Sequence, residues 1–559
     1  MQETIKKNKI GIGIIVVTIF VSLPLFLTGI EGRFGQDLGF HLMRIEGLAA
    51  ELQNGIFPVK MESLWMEGYG YPVSVYYGDV LLYFPAILRL LGVSVVTSYK
   101  IFLSVINLLS CVLAYWGFHV VFRKKDLAFV AMTAYVTATY RMTNLYLRAA
   151  VGEYCAMMFL PVVMAAIYLV YTEDLTDRSK RIKTGILLAL GMTGLIGTHI
   201  LTTEVTVIVM ALVALLLWKK TFSLPVMRTY VLAVGETIVL NLYFIVPFLH
   251  CYLQEDTYIR HTVSELRRIQ QNGITWRRYL DFFRDPFMEG AGAGERLMVT
   301  PGPVLLFAFA VAVGICLKKK DKKIFLYTII TALLLFMASA YFPWDGGAQK
   351  FHLLNVMAQI QFPWRYIGIA TVFLSLLLGC GIEYLQHLGA KKAVITMVFL
   401  ITGCMCIVFL GFYRQSSQRV NYVSREDLNT YDMGFVEYLP YGTDREAFSH
   451  QLEYSAGVQA KMISRKGTSM TIACHTDDAA STLSFPVIHY IGYQVRDEQG
   501  KVYQLERSEN NLVQISPENN YDGKLYLEYK QPWYWGVAEG ISLIGLVGTL
   551  WVLKRIKES

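Results

Sequence analysis

The chain has 559 residues, 54% of them hydrophobic and only 17% charged, with a mean hydropathy of +0.41. Many apolar runs are long enough to cross a bilayer, which excludes a wholly soluble protein and predicts a polytopic α-helical membrane protein. The formal charge of +8 comes largely from basic clusters between those runs, so it reports orientation and contact with anionic lipid rather than nucleic-acid binding.

The first apolar run, 10–30, follows Lys6, Lys7 and Lys9 and shows no small-residue cleavage pattern. It reads as a retained helix with its N-terminus inside. Directly beyond it, Asp37, His41 and Arg44 fall at i, i+4 and i+7 of a predicted helix, beside an apolar stripe of Leu38, Leu42, Ile45, Ala49 and Leu52. The polar row either faces a reaction or binding cavity or is the solvated side of an interfacial amphipathic helix. The loop continues through Trp65-Met-Glu-Gly-Tyr-Gly-Tyr-Pro72 to Tyr76, Tyr77 and Asp79, aromatic residues suited to sugar stacking or to a membrane-interface belt.

Basic clusters recur at Arg123-Lys-Lys125, Arg178 to Lys183, Lys219-Lys220, Lys318 to Lys323, Lys391-Lys392 and Lys554-Arg555. Placing them all in the cytoplasm predicts about 12 transmembrane helices, near 10–30, 97–121, 126–145, 153–172, 184–200, 202–218, 226–250, 302–317, 324–341, 365–386, 393–412 and 533–553. The short run Val80 to Leu91, with Pro85 and Arg89 inside it, is read as re-entrant or interfacial. Both termini are then cytoplasmic, and the long segments 31–96, 251–301, 342–364 and 413–532 lie outside, with the short turn 142–152. No cytoplasmic segment is large enough for a nucleotide domain and no Gly-rich phosphate loop is present, so a lipid-linked substrate fits better.

Four clusters converge on the outer face. Besides the opening loop these are Tyr146-Leu-Arg-Ala-Ala-Val-Gly-Glu153, Gly197-Thr-His-Ile-Leu-Thr-Thr-Glu204, and Gln359-Ile-Gln-Phe-Pro-Trp-Arg365. A boundary carboxylate such as Glu153 is costly without a partner or a role, and Arg148 is its nearest candidate ion-pair partner. His199 is either a phosphate-contacting group or a hydrogen-bonded turn residue. Arg365 suits phosphate oxygens, or anchors the helix at the interface. Arg260 and His261 rank lower, because Arg267, Arg268, Arg277 and Arg278 make that loop a basic surface.

From about 413 to 532 the sequence turns polar, with short alternating runs separated by Asp497-Glu-Gln-Gly500 and Asn520-Tyr-Asp-Gly523. This predicts a small extracytoplasmic β-sandwich, between a transmembrane domain over 1–412 with external loop 31–96 and a final helix with basic tail over 533–559. Of the eight cysteines only Cys251 and Cys474 are expected outside, so no disulfide framework is predicted, and none has zinc-site spacing.

Asp37 with His41 and Arg44, Gly55-Ile-Phe-Pro58, Gly68-Tyr-Gly-Tyr-Pro72, Tyr146 to Glu153, Thr198-His-Ile200 and Ile360-Gln-Phe-Pro-Trp-Arg365 together resemble bacterial multi-pass proteins called "6-pyruvoyl-tetrahydropterin synthase-related". The chain is also similar to membrane proteins implicated in glycosylating lipoteichoic acid. The resemblance covers most of the length and implies no pterin chemistry; it implies the C-type (GT-C) glycosyltransferase superfamily. Its members use polyprenyl-phosphate sugars and carry an essential acidic residue in the first external loop, the place held here by Asp37. The loop lacks a clear Asp-X-Asp or Glu-X-Asp pair, which leaves a divalent cation as an open cofactor.

These readings combine into one expectation. An inverting cell-membrane glycosyltransferase moves sugar from a polyprenyl-phosphate donor to a cell-envelope glycan or lipid acceptor on the outer face. Asp37 is the expected base, with His41 and Glu153 in support; Arg44, Arg148 and Arg365, with His199, Gln361 and Trp364, are expected to hold the lipid phosphate and substrate. The rival classes are a transporter or flippase of lipid-linked glycans, disfavoured by the lack of related halves, and a noncatalytic scaffold built on the β-domain.

Overall fold

The computed structural model describes residues 8–27, 37–265, 269–280, 298–319, 321–390, 392, 403, 436–477 and 481–558. The expected span at 393–412, Arg267, Arg268, Cys404, Cys406 and the start of the predicted β-domain at 413–435 fall outside these residues, Gly403 excepted.

The helical part is built from α1 (Lys9–Ser22), α2 (Leu38–Gln53), α3 (Val95–Phe122), α4 (Lys125–Val136), α5 (Val151–Met157), α6 (Leu160–Thr172), α7 (Arg178–Ile196), α8 (Ile200–Leu216), α9 (Leu224–Gln254), α10 (Pro303–Lys318), α11 (Lys322–Met337), α12 (Tyr366–His387) and α13 (Trp533–Glu558). α12 lies at the centre, against α4, α10 and α11, and every residue from Tyr366 to Ile382 is buried. Its sequence is apolar all round, as a helix with no solvent or lipid face requires. α3 packs on α1, α4 and α6, while α9 lies between α7 and α13.

Among the described residues six helices are long and apolar enough to cross a membrane: Lys9–Phe26, Val95–Phe122, Val151–Thr172, Leu224–Gln254, Pro363–His387 and Trp533–Ile556. The chain is thus a multi-pass membrane protein, but the expected count of about 12 transmembrane helices is corrected. Hydropathy registers apolar runs without registering where the backbone breaks. The run at 126–145 stops as α4 at Val136, resumes as a single turn over Thr139–Met142 and widens into a π-helical turn over Thr143–Arg148. α8 has 17 residues and α10 and α11 have 16 each. At 1.5 Å per residue these reach about 24–26 Å, short of a hydrocarbon core of about 30 Å. α7 begins on the basic turn of Arg178 to Lys183, which dilutes its apolar stretch.

α2 does not lie on a surface with one face wetted. Every residue from Leu38 to Ala49 is buried, Arg44 and Glu46 included. The helix ends at Asn54, followed by Gly55 at φ 85°, a left-handed exit that glycine takes without strain. The run after Asp79 forms a short helix, Tyr83–Leu90, packed against α2.

Between the long helices and α13 sits an antiparallel two-sheet sandwich of β1 (Glu453–Tyr454), β2 (Val458–Lys466), β3 (Ser469–Thr476), β4 (Leu483–Ile488), β5 (Tyr493–Asp497), β6 (Val502–Tyr503), β7 (Glu506–Arg507), β8 (Leu512–Ile515) and β9 (Asp522–Tyr529). One sheet runs β1-β4-β8-β7 and the other β2-β3-β9-β5-β6. Alternation in β3 and β5 buries Met470, Ile472, Cys474, Tyr493 and Val495, whereas β4 is buried throughout. The described cysteines Cys111, Cys155, Cys251, Cys316, Cys380 and Cys474 are unpaired.

Candidate functional site

The site forms where three chain breaks meet. The π-helical turn delivers Arg148 and ends at Ala149 in the left-handed region, φ 53°, so that the chain doubles back and α5 presents Glu153 to the same spot. The third break precedes α12, where Gln361 sits at φ 65° and a 3₁₀ turn over Pro363–Arg365 delivers Arg365. Non-glycine residues in this region of backbone space are uncommon, and both adjoin the ionic cluster.

Glu153 is the hub. Its Oε2 accepts from Arg148 Nη1 at 2.8 Å and lies 3.5 Å from Arg365 Nε. Its Oε1 accepts from the Tyr140 hydroxyl and from Asn144 Nδ2 at 3.3 Å. Arg148 Nη1 also donates to Asn144 Oδ1 at 2.6 Å, and Arg365 Nη1 to Gln361 Oε1 at 3.0 Å and to the Ile360 carbonyl. Arg148, Glu153 and Arg365 are 5%, 2% and 7% exposed, so this is an ion cluster of two cations and one anion inside the protein. A lone buried charge there would be prohibitive; the two-to-one stoichiometry of these three groups leaves a positive surplus that one further carboxylate balances.

Asp37 stands at that surplus. It occupies the N-cap position of α2 without a side-chain capping bond, and its backbone N–H donates to the Arg148 carbonyl at 2.8 Å. Desolvation raises its pKa above the usual 3.8; the nearby Arg148 and Arg365 oppose the rise and Glu153 adds to it. The helix N-terminus contributes the positive end of the backbone dipole at the same point.

The other candidate residues gather around Tyr77. Arg44 Nη2 donates to the carbonyls of Tyr77 and Gly78 at 2.9 and 2.8 Å, and its guanidinium lies over the Tyr77 ring at 4.5 Å. Arg44 thus holds the first loop, and two of its potential phosphate contacts are spent on backbone. The His41 and His199 rings each lie 6.1 Å from the Tyr77 ring. Burial, then Arg44 and His199, hold the His41 pKa well below 6.5, so it is neutral, and its Nδ1 has no hydrogen-bond partner among the described residues. His199 caps α8, its Nδ1 accepting from Thr202 N at 3.2 Å and pairing with Thr202 Oγ1 at 2.8 Å, which leaves Nε2 for a ligand. Trp364 is buried and stacked on Phe362 with centroids 4.3 Å apart, so it is not an open sugar platform.

Two glycines make this convergence sterically feasible. A Cβ on Gly152 would lie 2.1 Å from the Tyr77 hydroxyl, and one on Gly78 would lie 2.2 Å from the Gly197 carbonyl oxygen. The first loop therefore rests directly on the turns that carry Glu153 and His199.

Sequence reading missed Tyr140, Asn144 and Glu62. The first two follow the helical spacing Tyr140, Asn144, Arg148, a signal hidden inside an apparent membrane span. Glu62 is fully buried, accepts from Trp65 Nε1 and Ser74 Oγ at 2.7 Å each, and presses Oε2 onto Gly47 of α2. Burial raises its pKa to about 8, offset in part by Arg44 and the two hydrogen bonds. A folded-state pKa above the unfolded value means that its contribution to stability is complete below about 4.5 and is lost as pH rises through about 8. Glu62→Gln keeps the acceptor oxygen and removes the ionisation. It is expected to leave the thermal midpoint near that of the parent at pH 6 and to lessen its decline between pH 6 and 9. An undiminished alkaline decline in the variant would assign that decline to another group.

Among the described residues no group of three or more His, Cys, Asp or Glu side chains is placed to hold a metal ion. Both Glu153 oxygens are already engaged, by Tyr140 and by Arg148.

No family model matches the chain. An uncharacterized protein of Lactococcus lactis subsp. cremoris (strain MG1363) is 22% identical over 99% of this chain and 96% of its own length. Among solved structures, the apo oligosaccharyltransferase of Archaeoglobus fulgidus is similar at 12% identity and a TM-score of 0.43, over 78% of this chain. The chain spans 60% of that enzyme's length. ArnT from Cupriavidus metallidurans, bound to undecaprenyl phosphate, is similar at 11% identity and a TM-score of 0.30, over 84% of this chain and 98% of its own.

Proposed function

We propose that this protein is a membrane glycosyltransferase that moves a sugar from a polyprenyl-phosphate donor to a hydroxyl of a cell-envelope glycan or lipid, with inversion, on the outer face of the membrane. The observation that carries the reading is Asp37 beside two buried guanidinium groups that share one carboxylate. The sequence resemblance to polyprenyl-phosphate-dependent transferases points the same way.

The acceptor oxygen attacks the anomeric carbon as its proton passes to Asp37; the bond from that carbon to the phosphate oxygen breaks, and its electron pair leaves with the polyprenyl phosphate. Proton uptake by Asp37 removes one negative charge from the cluster at the moment the phosphate gains one. Arg148 and Arg365 then face a developing anion in a site already shaped for it, which is where preorganised charge lowers a barrier. Gln361 and Glu153 aim Arg365, and His199, whose Nδ1 is taken up by Thr202, would use Nε2 to donate to the phosphate or the acceptor.

Purified protein incubated with labelled polyprenyl-phosphate sugar and envelope glycolipid is expected to transfer label to the acceptor. Movement of a fluorescent lipid-linked sugar across proteoliposomes with no covalent transfer would replace this reading with that of a flippase.

A further inference from the structure

The helix that begins at Asp37 ends on the β-sandwich. α2 has 16 residues and, at 1.5 Å per residue, spans about 24 Å between the ion cluster and the β2–β3 hairpin turn. That turn docks on the far end of the helix. A Cβ on Gly467, which sits at φ 58°, would lie 3.1 Å from Asn54 Nδ2, 3.3 Å from Ser63 Oγ and 3.5 Å from Glu51 Oε2. Lys466 Nζ donates to the Asn54 carbonyl at 3.3 Å, where a cation meets the negative end of the helix dipole.

The same domain grips the first loop. Tyr69 stacks on Phe448 with centroids 3.9 Å apart, its hydroxyl accepts from His450 N at 2.7 Å, and its carbonyl accepts from Ile488 N at 3.0 Å. Arg465 donates to the Gly68 carbonyl, and the Tyr71 hydroxyl accepts from Tyr438 N at 2.9 Å. Tyr71 in turn pairs its backbone with Glu62, whose carboxyl rests on Gly47 in the middle of α2. The sandwich thus holds α2 at its end and, through Glu62, at its middle, while the Arg148 carbonyl holds its beginning.

We infer that the β-sandwich is a positioning element for the reaction centre: the Arg465–Thr468 hairpin turn and Tyr69 set the placement of Asp37 by fixing the opposite end and the middle of α2. A packed helix transmits a displacement along its axis because its hydrogen-bonded backbone does not shorten, and the hairpin turn closes over the point where Glu51 Oε1, in the last turn of α2, accepts from Ser63 N at 2.9 Å. Hairpin residues about 24 Å from the chemistry therefore act on it without touching substrate. The inference rests on the proposed site only in naming Asp37 as its target; its test does not require transfer activity.

Hydrogen exchange of the full-length protein in detergent gives that test. Gly467→Val adds a branched side chain at a left-handed position against Asn54, and the Arg465→Ala/Lys466→Ala variant removes the two hairpin contacts without backbone strain. Both are expected to speed amide exchange over Asp37–Arg44 roughly tenfold, with the β3–β9 ladder protected as in the parent. In the transfer assay both are expected to lower kcat with the donor KM unchanged. Parent-like protection of residues 37–44 in both variants overturns the inference and makes the sandwich an appendage, whether or not the β3–β9 ladder loosens. Faster exchange over 37–44 in a protein that shows no transfer supports the inference and counts against the transferase reading.

Discussion

Asp37→Asn is expected to lower kcat by about 10²- to 10⁴-fold, the range that a positioned base supplies, with donor KM little changed. Asparagine keeps the shape and one carbonyl oxygen but accepts no proton. The pH dependence provides the companion result. The base must be ionised, and burial raises the Asp37 pKa above 3.8, so kcat/KM is expected to fall as pH drops through that raised value, an acid limb higher than an ordinary aspartate gives. Stability runs in the opposite sense. A folded-state pKa above the unfolded one stabilises at low pH and loses that contribution as pH rises, so the neutral asparagine is expected to unfold no earlier than the parent at pH 7. Single-turnover transfer and thermal unfolding measured on one preparation separate the two effects. Undiminished transfer by Asp37→Asn would remove Asp37 from the role of base.

Glu153→Gln is expected to destabilise the protein by about 3–5 kcal/mol, because it leaves Arg148 and Arg365 buried without the carboxylate that pairs directly with both. The cost arises from the stranded cations more than from the lost bonds, since glutamine still accepts from Tyr140 or Asn144. Adding Arg148→Gln removes one of those cations, and the double variant is expected to be more stable than Glu153→Gln alone, a coupling that a double-mutant cycle measures. Transfer falls in both, because Arg365 loses the carboxylate that orients its Nε. A thermal midpoint unchanged in Glu153→Gln would mean that the cluster is solvated rather than buried.

Much of the candidate site was legible in the sequence because its groups are conspicuous there. Asp37, Arg148, Glu153 and Arg365 are ionisable residues bordering apolar stretches, where each needs a reason to exist. Their number and identity could be read; their pairing could not. Nothing in Tyr146 to Glu153 says that Glu153 serves Arg365, some two hundred positions away, as well as Arg148. The spacing of Asp37, His41 and Arg44 put them on one helical face, yet the fold turns Arg44 to the Tyr77 and Gly78 carbonyls and Asp37 to the ion cluster. The choice between an interfacial and an enclosed α2 was equally beyond the sequence, because its charged residues find their partners in other segments: Arg89 pairs with Glu46, and the loop carbonyls accept from Arg44.

The sequence by itself determined that this is a membrane protein with a polar β-rich region before its last helix, since composition, apolar run length and alternation are local properties. It also marked which ionisable residues lie near membrane boundaries. Tertiary structure alone decided how many apolar runs are continuous helices of spanning length, because the breaks at Thr137–Arg148 and Gln361–Arg365 are backbone geometries fixed by the groups they bring together. It alone decided that Glu153 holds two arginines and that α2 ties the ion cluster to the β-sandwich, since both depend on contacts between residues distant in the chain.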